Sequence, residues 1–93
     1  MARFTVRVEL HDAEWSDYEQ LHESMEVEGF SRLISSGDGR AYHLPWAEYN
    51  RETTLDKSSV LESAKRAAAQ TGHKYSILVT ESAGRTWHNL VSA

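Results

Sequence analysis

An α+β fold in the order β-α-β-β-α-β is predicted by three observations: an N-terminal stretch in which apolar and polar residues alternate, two segments with apolar residues three and four apart, and a glycine-rich turn between them. In RFTVRVEL, Phe4, Val6, Val8 and Leu10 alternate with Arg3, Thr5, Arg7 and Glu9, the period-two signature of a strand with one buried face. From Trp15 the period changes. Trp15, Tyr18, Leu21 with His22, and Met25 share one stripe of a helix, which Gly29 closes as a left-handed cap. Two starts compete for this helix: Asp12 is a good N-cap, and SDYE from Ser16 to Glu19 is a capping-box sequence.

FSRLIS (residues 30–35), SGDGR and AYHLPWAEYN (residues 41–50) predict a hairpin, with Pro45 marking an edge or bulge because it has no N–H to donate. A second helix is predicted over residues 57–71. Asp56 caps it, Leu55 staples onto Val60, the face formed by Val60, Leu61, Ala64, Ala67 and Ala68 is built from mostly small side chains, and Gly72 ends it. KYSILVTE (residues 74–81) is a strand, SAGR a turn, and TWHNLV (residues 86–91) a further short C-terminal strand. Two split β-α-β units with right-handed crossovers give a ferredoxin-like antiparallel sheet with both helices on one face, as a single domain over residues 1–93. The second face of that sheet is left without a helix to cover it.

Composition narrows the function. With 40% hydrophobic and 26% charged residues, the chain is that of a folded globular protein. It has no apolar run long enough to span a membrane and no signal-peptide pattern, so a cytoplasmic protein without membrane contact is expected. The absence of cysteine leaves histidines, carboxylates, hydroxyls and arginines, or a borrowed metal, as sources of chemistry. Residues 9–28 hold eight acids and no Lys or Arg, whereas the remainder carries ten basic and six acidic residues. The net charge of −4 argues against tight non-specific nucleic-acid binding but leaves room for a local basic surface.

That surface is predicted on the open side of the sheet, where Arg3, Thr5 and Arg7 face away from the core and Arg32 or His43 joins them from the hairpin as phosphate contacts. Trp46, Tyr49 and Trp87 either stack on bases or complete a core or an interface. The five histidines show no zinc-ligand spacing. His11 stands out because it neighbours Asp12 and is suited to acid–base work near neutral pH. The acidic helix, with Glu19, Glu23 and Glu26, is either a solvated face or a docking surface for a basic partner. Trp87, with apolars on both sides of its short strand, is expected to be buried against the sheet of a second copy in a twofold homodimer.

Across almost the whole chain, VELHDAEWSDYEQLHESMEVEGF, YHLPWAEY and YSILVTESAGRTW resemble the GhoS-like family of small proteins. The resemblance implies an endoribonuclease of the antitoxin type acting on messenger RNA, with a fold similar to the small CRISPR-associated ferredoxin-like nucleases. In those nucleases an Asp directly after the first strand, usually following Tyr, is the metal-linked catalytic position of a homodimer. Asp12 occupies the similar place, with His11 where the aromatic would stand. The expectation is a homodimer that binds and cleaves single-stranded RNA, with Asp12 and His11 at the scissile phosphate. Cleavage runs either with Mg²⁺ or Mn²⁺ held by paired Asp12 carboxylates or without metal through the 2′-hydroxyl. The competing expectation is a non-catalytic phage or mobile-element accessory factor whose acidic helix occupies a basic protein surface.

Overall fold

A computed structural model describes all residues from Met1 to Ala93. Its elements are β1 (Ala2–Leu10), α1 (Trp15–Val27), β2 (Leu33–Ser35), β3 (Ala41–His43), β4 (Glu48–Thr53), α2 (Lys57–Ala69) and β5 (Tyr75–Glu81). The alternation read in β1 holds: Phe4, Val6, Val8 and Leu10 are buried, and Arg3, Arg7 and Glu9 are exposed. β1 is the central strand of a sheet ordered β4-β1-β5, antiparallel to both neighbours. Both helices supply the other half of a single core. Leu21 and Met25 of α1 and Val60, Ala64, Ala67 and Ala68 of α2 pack with the apolar face of β1, with Phe30 and with Tyr49. The architecture is ferredoxin-like.

Neither expected start of α1 is the one used. The N-cap is Glu14, whose N–H donates to the Asp17 carboxylate at 2.9 Å. Asp12 lies outside the helix in a turn at φ 53°, a left-handed conformation that Asp tolerates better than most residues. The C-terminus is as expected: Gly29 takes φ 96°, and the Phe30 N–H reaches the Met25 carbonyl at 3.0 Å, a Schellman closure. Asp56 caps α2 by accepting from the Ser59 N–H at 2.8 Å.

The returning strand of the hairpin is two strands. It breaks at Pro45-Trp46-Ala47, where Ala47 turns at φ 69° and the Glu48 N–H closes onto the Pro45 carbonyl at 3.0 Å. Proline removes a ladder donor, and the left-handed residue re-aims the chain. β3 therefore stays with β2 in a separate two-stranded ribbon, while β4 enters the main sheet. The fourth edge of the ferredoxin-like sheet is reduced to the Ser31–Asn50 bridge.

Residues 86–91 do not form the strand that was expected. The chain after β5 instead folds back across the open face of the sheet. Ser82 N–H bonds to the Arg3 carbonyl at 2.8 Å, and the end of the chain docks on β3 through His43 N–H to the Val91 carbonyl at 2.8 Å and Ala93 N–H to the Ala41 carbonyl at 3.0 Å. Asn89, at φ 60°, turns the segment between these anchors. Trp87 is half-buried against Tyr42 of its own chain, ring centroids 5.5 Å apart. Residues 86–93 thus already have contacts within one chain. No helix is long and apolar enough to cross a membrane.

Candidate nucleic-acid interface

The face of β1 turned away from the helices carries Arg3, Thr5, Arg7 and Glu9, and His11 follows them in the same alternation. Cross-strand neighbours are Glu52, Asn50 and Glu48 on β4, and Thr80, Leu78 and Ser76 on β5. Arg3 donates Nε–H to Glu52 Oε1 at 3.1 Å, with both side chains about half exposed (50% and 53%). An exposed pair of this kind is worth at most ~1 kcal/mol, so a phosphate can compete for the guanidinium. Arg7 is exposed, and its guanidinium makes no ion pair.

A third arginine arrives from outside the sheet. Arg85, in the returning tail, donates Nη1–H to Asn50 Oδ1 at 2.9 Å and to Thr5 Oγ1 at 3.3 Å, which sets it between Arg3 and Arg7. Partial burial and then the positive charge of Arg3 hold the Arg85 guanidinium below its ordinary pKa. Three arginines thus stand along the centre of the face, followed by Glu9 on β1 and flanked by Glu48 and Glu52 on β4. Arg85 escaped the sequence reading because a tail expected to be a strand gave no sign that it would cross β1. The only hint was a basic residue directly after a glycine turn.

His11 and Asp12, adjacent in sequence, are not joined. His11 Nε2 lies 2.9 Å from Ser76 Oγ and 4.0 Å from Glu9 Oε1, at the end of the arginine-bearing face. Asp12 is exposed in its left-handed turn. Behind them, His73 Nε2 lies 3.1 Å from Asp17 Oδ2, and His73 Nδ1 donates to the His11 carbonyl at 3.1 Å. The Glu14 N–H, and less strongly His73, hold the Asp17 carboxyl below the usual carboxylate range. No group of three or more His, Asp or Glu side chains converges on a point where a metal ion could be held.

Arg32 and His43 do not join Arg3 and Arg7. Arg32 is folded into the loop that splits the hairpin. Its Nη2 donates to the Leu44 carbonyl at 2.8 Å and the Pro45 carbonyl at 3.3 Å, its Nε to the Glu48 carbonyl at 3.2 Å, and its Nη1 to His22 Nε2 at 3.1 Å. Because arginine only donates, His22 Nε2 must be the unprotonated nitrogen, and its Nδ1–H donates to the Tyr49 hydroxyl. Burial, and secondly Arg32, push His22 down to about 4. Burial raises the Tyr49 hydroxyl above its ordinary value.

Trp46 closes this cluster. It stacks on Trp15 at 4.1 Å and lies 5.2 Å from the Arg32 guanidinium. His43 is exposed, beside a groove that Arg32 and Glu26 also line. Glu19 accepts from Trp15 Nε1 at 2.7 Å, and Glu23 is exposed. No protein-family model and no curated protein matches the chain.

Proposed function

We propose that the protein binds single-stranded RNA on the open face of its sheet and cleaves it as an endoribonuclease of the antitoxin type, the activity implied by the resemblance to the GhoS-like family. One observation carries this reading: Arg3, Arg85 and Arg7 stand along the exposed face of the central strand, and His11 follows on the same face beyond Glu9. Exposed guanidinium groups such as those of Arg3 and Arg7 neutralise backbone phosphates, and an imidazole on the same face is suited to proton transfer. In the cleavage step His11 Nε2 takes the proton from a ribose 2′-hydroxyl. The 2′-oxygen attacks the adjacent phosphorus, the bond from phosphorus to the 5′-oxygen breaks, and that oxygen leaves with a proton from water. Arg7 stabilises the charge that builds on the phosphoryl oxygens. The products are a 2′,3′-cyclic phosphate and a 5′-hydroxyl.

Incubating the pure protein with single-stranded RNA, with and without EDTA, tests the proposal. Cleavage that persists in EDTA, stops at a 2′-deoxy nucleotide and is lost in His11→Ala is the expected result. RNA left intact with and without Mg²⁺ or Mn²⁺, or His11→Ala cleaving at the wild-type rate, removes it. Loss of cleavage in EDTA together with an inactive Asp12→Ala would replace the 2′-hydroxyl route by a metal held between two copies.

A second reading has its own support. Trp15 is 65% exposed and stacked on Trp46 at the edge of an acidic helix surface, and an exposed tryptophan beside acidic side chains suits a basic protein partner. Pull-downs with wild type and with Glu19, Glu23 and Glu26 changed to Gln test it. Equal recovery of the same proteins would remove it.

A further inference from the structure

Where the tail crosses the sheet it borders a half-open cleft of about 370 Å³, within the ~300–1,000 Å³ range of small-molecule sites. Its floor is Thr5 and Glu48 on the sheet, and its roof is the tail, with Arg85 and Trp87. Trp87 lines the cleft and packs against Tyr42, ring centroids 5.5 Å apart, which limits the freedom of its ring. Two charged groups in the lining have capacity left over. Arg85 engages the protein through Nη1 alone, leaving Nε and Nη2 as donors, and only the backbone carbonyl of Glu48, not its carboxylate, accepts from Arg32. Arg85 is tied to Asn50, two residues from Glu48 on the same face of β4, so both charged residues border the same cavity.

We infer that this cavity is a nucleobase site selective for guanine, taking an unstacked guanine of the bound strand. The inference rests on the RNA-binding reading above. A guanine edge presents two adjacent donors, N1–H and N2–H, beside one acceptor, O6. The Glu48 carboxylate accepts from the two donors, Arg85 donates to O6, and the base plane lies on Trp87. No other base carries this set. Adenine and cytosine each turn a ring-nitrogen acceptor toward a carboxylate, and uracil offers a single donor between two carbonyls.

Calorimetric titration with the four 5′-mononucleotides and with 5′-IMP, alongside binding of labelled U8 and U4GU3 oligonucleotides, tests the inference. GMP should bind at least about tenfold more tightly than AMP, CMP or UMP, with IMP weaker than GMP because it lacks the 2-amino group. In Glu48→Gln the ratio of GMP to AMP affinity should collapse, while Trp87→Ala should weaken GMP binding and Trp87→Phe restore most of it. Equal affinity for GMP and AMP, or an unchanged ratio in Glu48→Gln, would overturn the guanine site. If U8 binds and U4GU3 gains nothing, the guanine site fails and RNA binding stands. If neither oligonucleotide binds but GMP is selected, RNA binding fails and the pocket stands.

Discussion

Arg32 shows how much one side chain can hold. Its guanidinium serves three backbone carbonyls and His22 where proline and a left-handed alanine interrupt the strand. Hydrogen bonds from a charged donor are each worth ~1.5–3 kcal/mol, and removal leaves carbonyls in a partly buried loop without partners. Arg32→Ala should therefore destabilise the protein by about 3 kcal/mol, and Arg32→Lys should not rescue it, because an ammonium lacks the planar fork. Chemical denaturation measures both. His22 provides a second residue-scale test. Its pKa falls from the ordinary 6.5 to about 4 in the folded chain, so the unfolded chain binds the extra proton between those values. Stability from this group is complete above about pH 6.5 and declines as pH falls toward 4. Thermal melts across that window should show a steeper loss for wild type than for His22→Gln.

At the scale of elements, β1 was legible because nothing competes with its alternation, and the core face of α2 because small residues recur at helical spacing. Ala64 and Ala67 are 0% and 1% exposed, so Ala64→Leu forces a branched side chain against the sheet, at a cost of ~1–3 kcal/mol visible in the denaturation midpoint. The start of α1 was less legible. Asp12 and Ser16 both have the chemistry of a cap, and the helix instead starts at Glu14, whose N–H is held by the Asp17 carboxylate, itself 3.1 Å from His73 of a distant segment. Pro45 announced a disturbance, but not that β3 would leave the main sheet, because that depends on the Ala47 turn and on Arg32 filling it. Arg3, Arg7 and His11 could be placed on one face from β1 alone. The third arginine on that face could not be, since Arg85 reaches Thr5 across a separation of 80 residues.

The whole molecule is a slab of 39 × 28 × 18 Å, with helices on one side and the crossing tail on the other. TWHNLV reads as a strand locally, but its place is decided by where β3 leaves an edge free, which no local pattern encodes. Deleting residues 86–93 should leave a folded chain with intact helices. It should lower the melting temperature by several degrees, expose Tyr42 to solvent and abolish selection among mononucleotides. Circular dichroism and the calorimetric titrations read these outcomes. An unaltered melting temperature would mean that the tail is not held on the sheet.

The central position of β1 also has a kinetic meaning. The first strand of the chain finds one neighbour at residues 48–53 and the other at residues 75–81, so no part of the main sheet closes from a local hairpin. Each pairing must first close a long loop, and chains dominated by such contacts fold in ~milliseconds to seconds, more slowly than helical bundles. In stopped-flow refolding the far-ultraviolet helical signal should lead, and the burial of Tyr49 beside β1 should follow as a slower cooperative step. Until that step is complete the strand carrying Arg3 and Arg7 has no partners, so the open face described above does not exist on the unfinished chain.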